Sequence, residues 1–202
     1  MITSRLDNTQ INITLPLINK YGFLLSGGLD SAVLLYLLLT NNPGINIQIF
    51  SIMKTDGSHK CLTDIIEFMR LKTGVNLTPP IFVGDPTAHH DIQGRTAIVE
   101  IEEKYDIDFI IFGSNSNPPE SVSLPGVYPR RARGNHPKVL VPFKPLFKTH
   151  IVDLVFEYRL EDLLDITHTC TEYTDSRCNM CFQCSERAWA FKELNRIDTG
   201  EK

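Results

Sequence analysis

The chain has 202 residues, of which 42% are hydrophobic and 22% are charged, and its net charge is −4. This composition excludes a disordered or collagen-like chain and suffices for one sizeable core. The longest apolar run, Ala32 to Leu39, is much shorter than the roughly 20 residues that cross a bilayer. We therefore expect a soluble globular protein. Its mild acidity also argues against binding nucleic acid through bulk charge.

Segments of strand length alternate with segments of helical periodicity through most of the chain. This rhythm predicts an α/β fold, with a Rossmann-like parallel sheet, helices on both faces and ligands at the carboxyl ends of the strands. The predicted strands are residues 21–26, 45–53, 81–83, 108–112 and 139–143. Predicted helices contain residues 32–39, 62–69, 98–105, 151–158 and 188–194.

A glycine pair marks the junction between the first of these strands and the first helix. Ser26-Gly27-Gly28-Leu29-Asp30-Ser31 (SGGLDS) stands where backbone N–H groups and the helix dipole together favour a phosphate. The glycines let the main chain approach an anion closely, and the serines add hydroxyl donors. Asp30 is placed to hold a Mg²⁺ that screens the phosphate charge. A plain strand-to-helix turn with a Ser or Asp cap is the alternative.

SGGLDS after a first strand resembles the signature loop of the PP-loop ATP pyrophosphatases. That resemblance implies an enzyme that binds the pyrophosphate of ATP and activates its substrate by adenylation. The lysine of a Walker A loop and the third glycine of a dinucleotide fingerprint are both missing here.

Cysteines are concentrated near the end of the sequence. Cys170, Cys178, Cys181 and Cys184 form a C-x7-C-x2-C-x2-C motif, whereas Cys61 stands far away and is most simply a core residue. Four thiolates at this spacing suit one tetrahedral Zn²⁺ in a closed structural site, which would hold the tail in place and perform no chemistry. An iron–sulfur cluster or buried free thiols are the alternatives.

Together, the glycine loop and the terminal cysteine motif, which runs on into Arg187 and Phe191, resemble the 7-cyano-7-deazaguanine (preQ0) synthase family over almost the whole of residues 21–191. This resemblance implies conversion of 7-carboxy-7-deazaguanine and ammonia to the nitrile through adenylated intermediates, with ATP, Mg²⁺ and Zn²⁺. It implies an ATP-binding domain at residues 1–165, led by residues 1–20, and a zinc-binding tail with a closing helix at residues 166–202. It further suggests a cytoplasmic enzyme, in keeping with the absence of a secretory pattern at residues 1–10. A homodimer is possible, and no nucleic-acid or membrane partner is expected.

The same resemblance assigns individual residues. Catalytic roles fall to Asp30, Ser31 and Lys148; Lys148 could equally be a surface lysine at a helix start. Gly113 and Asn115 correspond to the family's Gly-x-Asn at the adenylate pocket, and the cysteines are the zinc ligands. Residues 25–35 are expected to line the ATP site: Leu25, Ser26, Gly27, Gly28, Leu29, Asp30, Ser31, Ala32, Val33, Leu34 and Leu35.

Residues 113–138 have no period and contain five prolines, which favours a functional loop. Basic residues in and after this loop could close over phosphates and a substrate carboxylate, or could simply be solvated. They are Arg130, Arg131, Arg133, Lys138, Lys144 and Lys148.

The family's base-recognition motifs are only partly present. Tyr128-Pro129 matches half of one motif, and Arg130 and Arg131 replace its Asp and Cys. Arg95 is the remnant of a second motif, His59 could match a family histidine, and His150 replaces a glutamate. We expect His89-His90 to be surface residues. Two alternatives therefore stay open: a PP-loop tRNA-thiolation enzyme with a cysteine-bound iron–sulfur cluster, and a non-catalytic ATP-binding zinc module.

Overall fold

In the computed structural model, residues 1–88, 90–126 and 136–200 are described, excluding the side chains of His90 and Asp91. Within these ranges the chain forms a five-stranded parallel sheet and a separate two-stranded antiparallel pair, with six α-helices. The strands are β1 (Ile2–Thr3), β2 (Gln10–Ile11), β3 (Lys20–Leu24), β4 (Asn46–Ser51), β5 (Ile81–Phe82), β6 (Phe109–Phe112) and β7 (Val139–Leu140). The helices are α1 (Leu29–Asn41), α2 (Leu62–Thr73), α3 (His90–Lys104), α4 (Lys148–Glu157), α5 (Leu163–Ile166) and α6 (Phe182–Glu193).

Strand order in the large sheet is β5-β4-β3-β6-β7, with every neighbouring pair parallel. The chain leaves β3 toward β4 and β5, then returns to place β6 on the other side of β3. This reversal makes the carboxyl end of β3 a topological switch point, where open α/β sheets bind their ligands.

Helices cover both faces of the sheet, as predicted. On one face, Ala97 and Ile101 of α3 pack with Phe50, Val83 and Ile110. The opposite face carries the larger core, to which α1, α2, α4, α5 and α6 all contribute. The apolar interior of α1 is explained by this position, because its leucines have neighbours on every side.

The structure adds elements that the sequence pattern does not indicate, namely the β1–β2 pair, α5 and a 3-10 turn at Ser58–Cys61. Two predicted helices begin earlier than expected: α3 starts at His90, and α6 starts at Phe182, within the cysteine motif. Residues 113–126 and 136–138 contain no helix or strand, in agreement with the expected loop. The predicted domain boundary near residue 165 stays a prediction.

Within the described ranges, no helix is both long enough and apolar enough to span a membrane.

Candidate functional site

The glycine bend lies directly after β3 and is packed too tightly to accept a side chain at its first glycine. Gly27 has φ +81°, and a Cβ built there would lie 1.9 Å from the backbone oxygen of Ser58. Gly27 O also accepts a hydrogen bond from the N–H of His168 at 3.0 Å. The bend is therefore held between the segment after β4 and the segment that leads to the cysteines.

The first turn of α1 faces the bend. Gly28 is the N-cap residue and has no side chain that could accept from the first N–H groups of the helix, which also lack an intrahelical acceptor. Ser31 Oγ donates to Gly28 O at 3.0 Å and accepts from the N–H of Ser26 at 3.2 Å. The sequence thus builds a rigid collar of N–H and hydroxyl groups at a helix N-terminus, an arrangement that favours anions.

Lys148, the first residue of α4, points at this collar and not at the surface. Its ammonium donates to Asp30 Oδ1 and lies 3.8 Å from Glu186 Oε2 of α6. The three side chains are 10%, 17% and 1% exposed, respectively. The Lys148 ammonium therefore lies between two carboxylates. A polyanion would attract the ammonium and a divalent cation would attract the carboxylates, so either ligand can change how these groups pair.

The collar and the lysine open onto a cleft of about 220 Å³, which we call the central cleft. Its wall is polar along the bend and along the segment next to the cysteines. Its lining includes Ser26, Gly28, Asp30, Ser31, Lys54, Asp56, Ser58, Phe112, Gly113, Lys148, His168, Thr169, Cys170, Gln183, Glu186 and Arg187.

Two further cavities adjoin the central cleft. An apolar recess, lined by Leu24, Ile52, Gly94 and Phe112, shares Ser26 and Lys54 with the cleft. An outer groove of about 570 Å³ shares Lys54, Asp56, Thr171 and Gln183 with the central cleft. The outer groove also includes Glu172, Met180, Cys181 and Phe182. All three cavities share Lys54, which lies just after β4.

Not every residue assigned from the sequence reaches a cavity. Ser26, Gly28, Leu29, Asp30, Ser31, Gly113 and Lys148 line the central cleft, and Leu25 lines the apolar recess. The structure places Ala32, Val33, Leu34 and Leu35 in the core, each with no exposed surface, so we do not include them in the site. Their contribution is to anchor α1.

Gly113 and Asn115 follow β6 and approach α1 from the neighbouring strand. A Cβ on Gly113 would lie 2.9 Å from the Cα of Ser31, so this glycine permits close contact between the two segments. Asn115 is 1% exposed, and neither its side-chain oxygen nor its nitrogen has a hydrogen-bond partner within the described ranges. Such buried orphan amides are rare and mark places where a ligand or water completes the bonding.

Other assignments fall away from the cavities or outside the described residues. His150 Nδ1 accepts from the N–H of Phe147, and Nε2 lies 3.0 Å from Asp7, so this histidine closes the start of α4 against the N-terminal segment. His59 contacts the backbone oxygen of Lys54, and Arg95 is exposed on α3. The predicted roles of Tyr128, Pro129, Arg130, Arg131 and Arg133, and of the His89-His90 pair, lie outside what is described.

Arg187 belongs to the sequence resemblance, but its structural role is visible only in the fold. It is 1% exposed and donates to both carboxylate oxygens of Asp198 at 2.8 Å, to Thr169 Oγ1 and to Leu164 O. Burial lowers the pKa of the Arg187 guanidinium, and the hydrogen bonds that it donates to Asp198 oppose that effect. Arg187 therefore ties α6, the segment before the cysteines and the C-terminal residues into one wall of the central cleft.

The four cysteines of the predicted metal motif come together at the rim of the cleft. Their sulfur atoms all lie within 4.8 Å of one another, and Cys170 also lines the central cleft. With metal–sulfur bonds of about 2.3 Å, one tetrahedral Zn²⁺ places its four sulfurs about 3.8 Å apart. A four-iron cluster needs wider spacing, because each thiolate binds a different iron. The sulfur positions thus fit a single ion with little adjustment.

Backbone N–H groups already point at the sulfurs. Cys170 Sγ accepts from Glu172 and Tyr173 at 3.4 and 3.3 Å, and Cys178 Sγ accepts from Met180 and Cys181 at 3.4 and 3.1 Å. These bonds stabilise thiolates, the form that binds metal.

Protonation of the thiols also indicates a cation site. Burial opposes ionisation of Cys181, but hydrogen bonds from Thr171 and Cys184 outweigh it and lower the pKa of this thiol to about 7. Burial and the neighbouring Cys181 raise the pKa of the Cys184 thiol. The thiols of Cys181 and Cys184 therefore do not readily ionise together, and a bound cation would supply the missing positive charge.

Comparisons with known proteins add little to this geometry. No family model and no curated protein sequence matches the chain. Among solved structures, the U34-tRNA thiolase NcsA from Methanococcus maripaludis with its 4Fe–4S cluster matches with 19% identity and a TM-score of 0.42, covering 96% of this chain and 69% of that chain. A TM-score this low carries no argument, so the fold and the site rest on the chain's own topology and contacts.

Proposed function

We propose that the chain is an ATP pyrophosphatase of the PP-loop type, which transfers AMP from ATP to an oxygen of an acceptor and releases pyrophosphate. One observation carries this proposal: the Gly27-Gly28 bend and the start of α1 face a buried lysine across a cleft at the switch point of a parallel sheet. Backbone donors on one side and an ammonium on the other suit a triphosphate.

The three cavities supply a place for each part of the reaction. The apolar recess between Leu24, Ile52 and Phe112 suits a planar base, and the central cleft suits the phosphates. The outer groove opens on the far side of Lys54 and Asp56 and leaves room for an acceptor.

The chemistry requires no side-chain nucleophile. An acceptor oxygen forms a bond to the α-phosphorus while the bond from that phosphorus to the bridging oxygen breaks, and pyrophosphate leaves with the electron pair. Ser26, Ser31 and the first N–H groups of α1 orient the departing phosphates, and Lys148 neutralises charge that develops on them. Asp30 and Glu186 offer the carboxylates that would hold a Mg²⁺, which supplies further charge neutralisation when bound.

The first candidate acceptor is 7-carboxy-7-deazaguanine, as the sequence resemblance implies. Adenylation turns its carboxylate into an acyl phosphate anhydride, which ammonia attacks with loss of AMP and a proton; a second activation of the amide gives the nitrile. The sulfur spacing supports this candidate, because a single ion held by four thiolates has no open position and leaves the chemistry to the cleft.

The second candidate acceptor is a tRNA nucleobase that is adenylated and then thiolated; NcsA is named as a U34-tRNA thiolase. The position of the cysteines favours this alternative, since Cys170 lines the central cleft and Cys181 lines the outer groove, where the acceptor would bind. In this reaction the base oxygen bonds to the α-phosphorus of ATP and pyrophosphate leaves. A sulfide then attacks the carbon that carries this oxygen, and the oxygen leaves as part of AMP.

One set of assays separates these candidates. Purified protein is incubated with ATP and Mg²⁺, together with either the deazaguanine acid and ammonium or unmodified tRNA and sulfide. Release of AMP and pyrophosphate that depends on one acceptor identifies the substrate, and mass spectrometry identifies the product. One zinc per chain accompanies the first outcome, whereas iron and visible absorbance after anaerobic purification accompany the second. Nucleotide binding without pyrophosphate release for either acceptor indicates the non-catalytic module.

A further inference from the structure

Two buried side-chain donors at the central cleft have no assigned role. They are His168 Nε2 and Ser58 Oγ, and neither has a hydrogen-bond partner within the part of the chain that the structure describes. Both residues line the central cleft, and Ser58 is only 5% exposed. Leaving such a group unsatisfied in the interior is costly, so native structures keep it only for a reason.

Backbone contacts fix both residues against the glycine bend. The N–H of His168 donates to Gly27 O at 3.0 Å, and the backbone oxygen of His168 would lie 3.4 Å from a Cβ on Gly28. From the opposite side, the backbone oxygen of Ser58 would lie 1.9 Å from a Cβ on Gly27. The backbones of His168 and Ser58 therefore flank the same two glycines and place both side chains next to the bend.

Several other polar groups of the cleft already have partners. Ser26 Oγ and Ser31 Oγ bond to each other at 3.0 Å, Thr169 Oγ1 accepts from Arg187, and Lys148 is paired with Asp30. His168 and Ser58 thus offer uncommitted side-chain donors to an anion at the bend. The imidazole Nε2 donates a hydrogen bond when it carries its hydrogen, and the Ser58 hydroxyl can rotate to donate.

We propose that His168 Nε2 and Ser58 Oγ donate hydrogen bonds to the pyrophosphate half of ATP and so make the cleft selective for nucleotides that carry β- and γ-phosphates. This inference rests on the proposed function and extends it, by naming two phosphate-binding residues outside the SGGLDS loop. It also gives a reason for the contact between the segment before Cys170 and the bend. The four-cysteine site and Arg187 hold this segment, and with it His168, next to the bend.

Calorimetric titration of the metal-loaded protein tests the proposal with inorganic pyrophosphate, α,β-methylene-ATP and AMP as probes. His168→Phe keeps an aromatic ring and removes the donor, and Ser58→Ala removes the hydroxyl alone. We expect each variant to bind pyrophosphate and the ATP analogue about tenfold more weakly, the cost of one lost hydrogen bond to a charged group, and to bind AMP unchanged. His136→Phe is the matched control, because His136 is exposed and lies against Glu102.

The outcomes are distinguishable. Wild-type affinity for pyrophosphate in both variants overturns the inference and leaves the proposed function standing. If His168→Phe weakens AMP and pyrophosphate binding equally and also lowers the melting temperature or loses the metal, His168 has a structural role and its assignment as a phosphate donor is overturned. Ser58 lies far from the cysteines in sequence, so Ser58→Ala then decides whether Ser58 Oγ binds pyrophosphate. A wild-type protein that binds none of the three probes refutes the proposed function and this inference together.

Discussion

Lys148 and Asp30 form an ion pair across 118 residues of sequence, joining the start of α4 to the first turn of α1. Glu186 of α6 stands 3.8 Å from the same ammonium, so three helices meet at one charge. The pair is largely buried, and such a pair stabilises little relative to apolar residues, but it is costly to break by removing one partner. The pair lies at the mouth of the glycine bend, where the proposed function places the phosphates of ATP.

Lys148→Met tests this role. We expect pyrophosphate release to fall about 100-fold, because a cation that balances charge developing on the leaving phosphates is lost. Lys148→Arg should recover part of the activity, since the charge returns with different geometry. Steady-state kinetics with whichever acceptor supports turnover gives the measurement, and Lys192→Met on the exposed end of α6 is the control. Unchanged turnover in Lys148→Met contradicts the assignment.

Gly27→Ala tests the bend separately from the lysine. The new methyl group meets the backbone oxygen of Ser58, and the φ of +81° at Gly27 disfavours any side chain. Gly44→Ala is a matched control, because Gly44 has φ +84° but no atom within 4 Å of a built Cβ. We expect the control to lower the free energy of unfolding by about 1 kcal/mol, the cost of positive φ alone, and Gly27→Ala to lower it several-fold more. Urea unfolding of both variants measures the difference, and equal losses would show that the bend has room.

Much of the fold could be predicted from the sequence, because its determinants are local. The strand before Gly27, the apolar helix from Ala32 to Leu39 and the cysteine spacing are all visible as short-range patterns. Two-residue strands such as β1 and β2 are too short to show a period. The sequence does not show the start of α3, because Gly94 and polar residues interrupt its apolar face.

The site was only partly predictable, for a different physical reason. The loop and Lys148 could be assigned from motif and resemblance, but Glu186 and His168 matter through burial and through contacts between distant segments. Nothing in the neighbouring sequence marks either residue as facing a phosphate loop. Conversely, Ala32 to Leu35 follow the motif directly, yet helix geometry turns them into the core. Adjacency along the chain is therefore a poor guide beyond the first turn of α1.

Metal removal should act on the wall of the cleft. If one ion holds Cys170, Cys178, Cys181 and Cys184, a chelator or Cys181→Ser lowers the melting temperature and loosens the segment that contains His168. Cys61→Ser is the control, as this cysteine lies apart from the four-sulfur group. Elemental analysis should give one metal ion per chain in the wild type and less than one in Cys181→Ser. An unchanged melting curve with full metal content would remove Cys181 from the ligand set.

The carboxyl group of Asp198 provides a pH-dependent test of its hydrogen bonds with Arg187. Burial alone would raise the pKa of the Asp198 carboxyl, but hydrogen bonds and charge from Arg187 and Arg177 outweigh burial and hold the pKa below its ordinary value. A carboxylate whose pKa is lower in the folded state stabilises the protein above its unfolded pKa of about 3.9, and that contribution is lost as the pH falls through the lower folded value.

Asp198→Asn should therefore be less stable than the wild type at pH 7, by about 3 kcal/mol, because two largely buried guanidinium groups lose their anion. The difference should shrink as the pH falls below about 4, because the Asp198 carboxyl then becomes protonated in the unfolded wild-type chain and, at lower pH, in the folded protein as well. Urea unfolding at about pH 7, 5, 4 and 3 measures both trends, and Glu120→Gln in an exposed loop is the control. A constant difference across this range would show that ionisation of the carboxyl contributes nothing to the difference and that Asp198 acts only through its hydrogen-bond geometry.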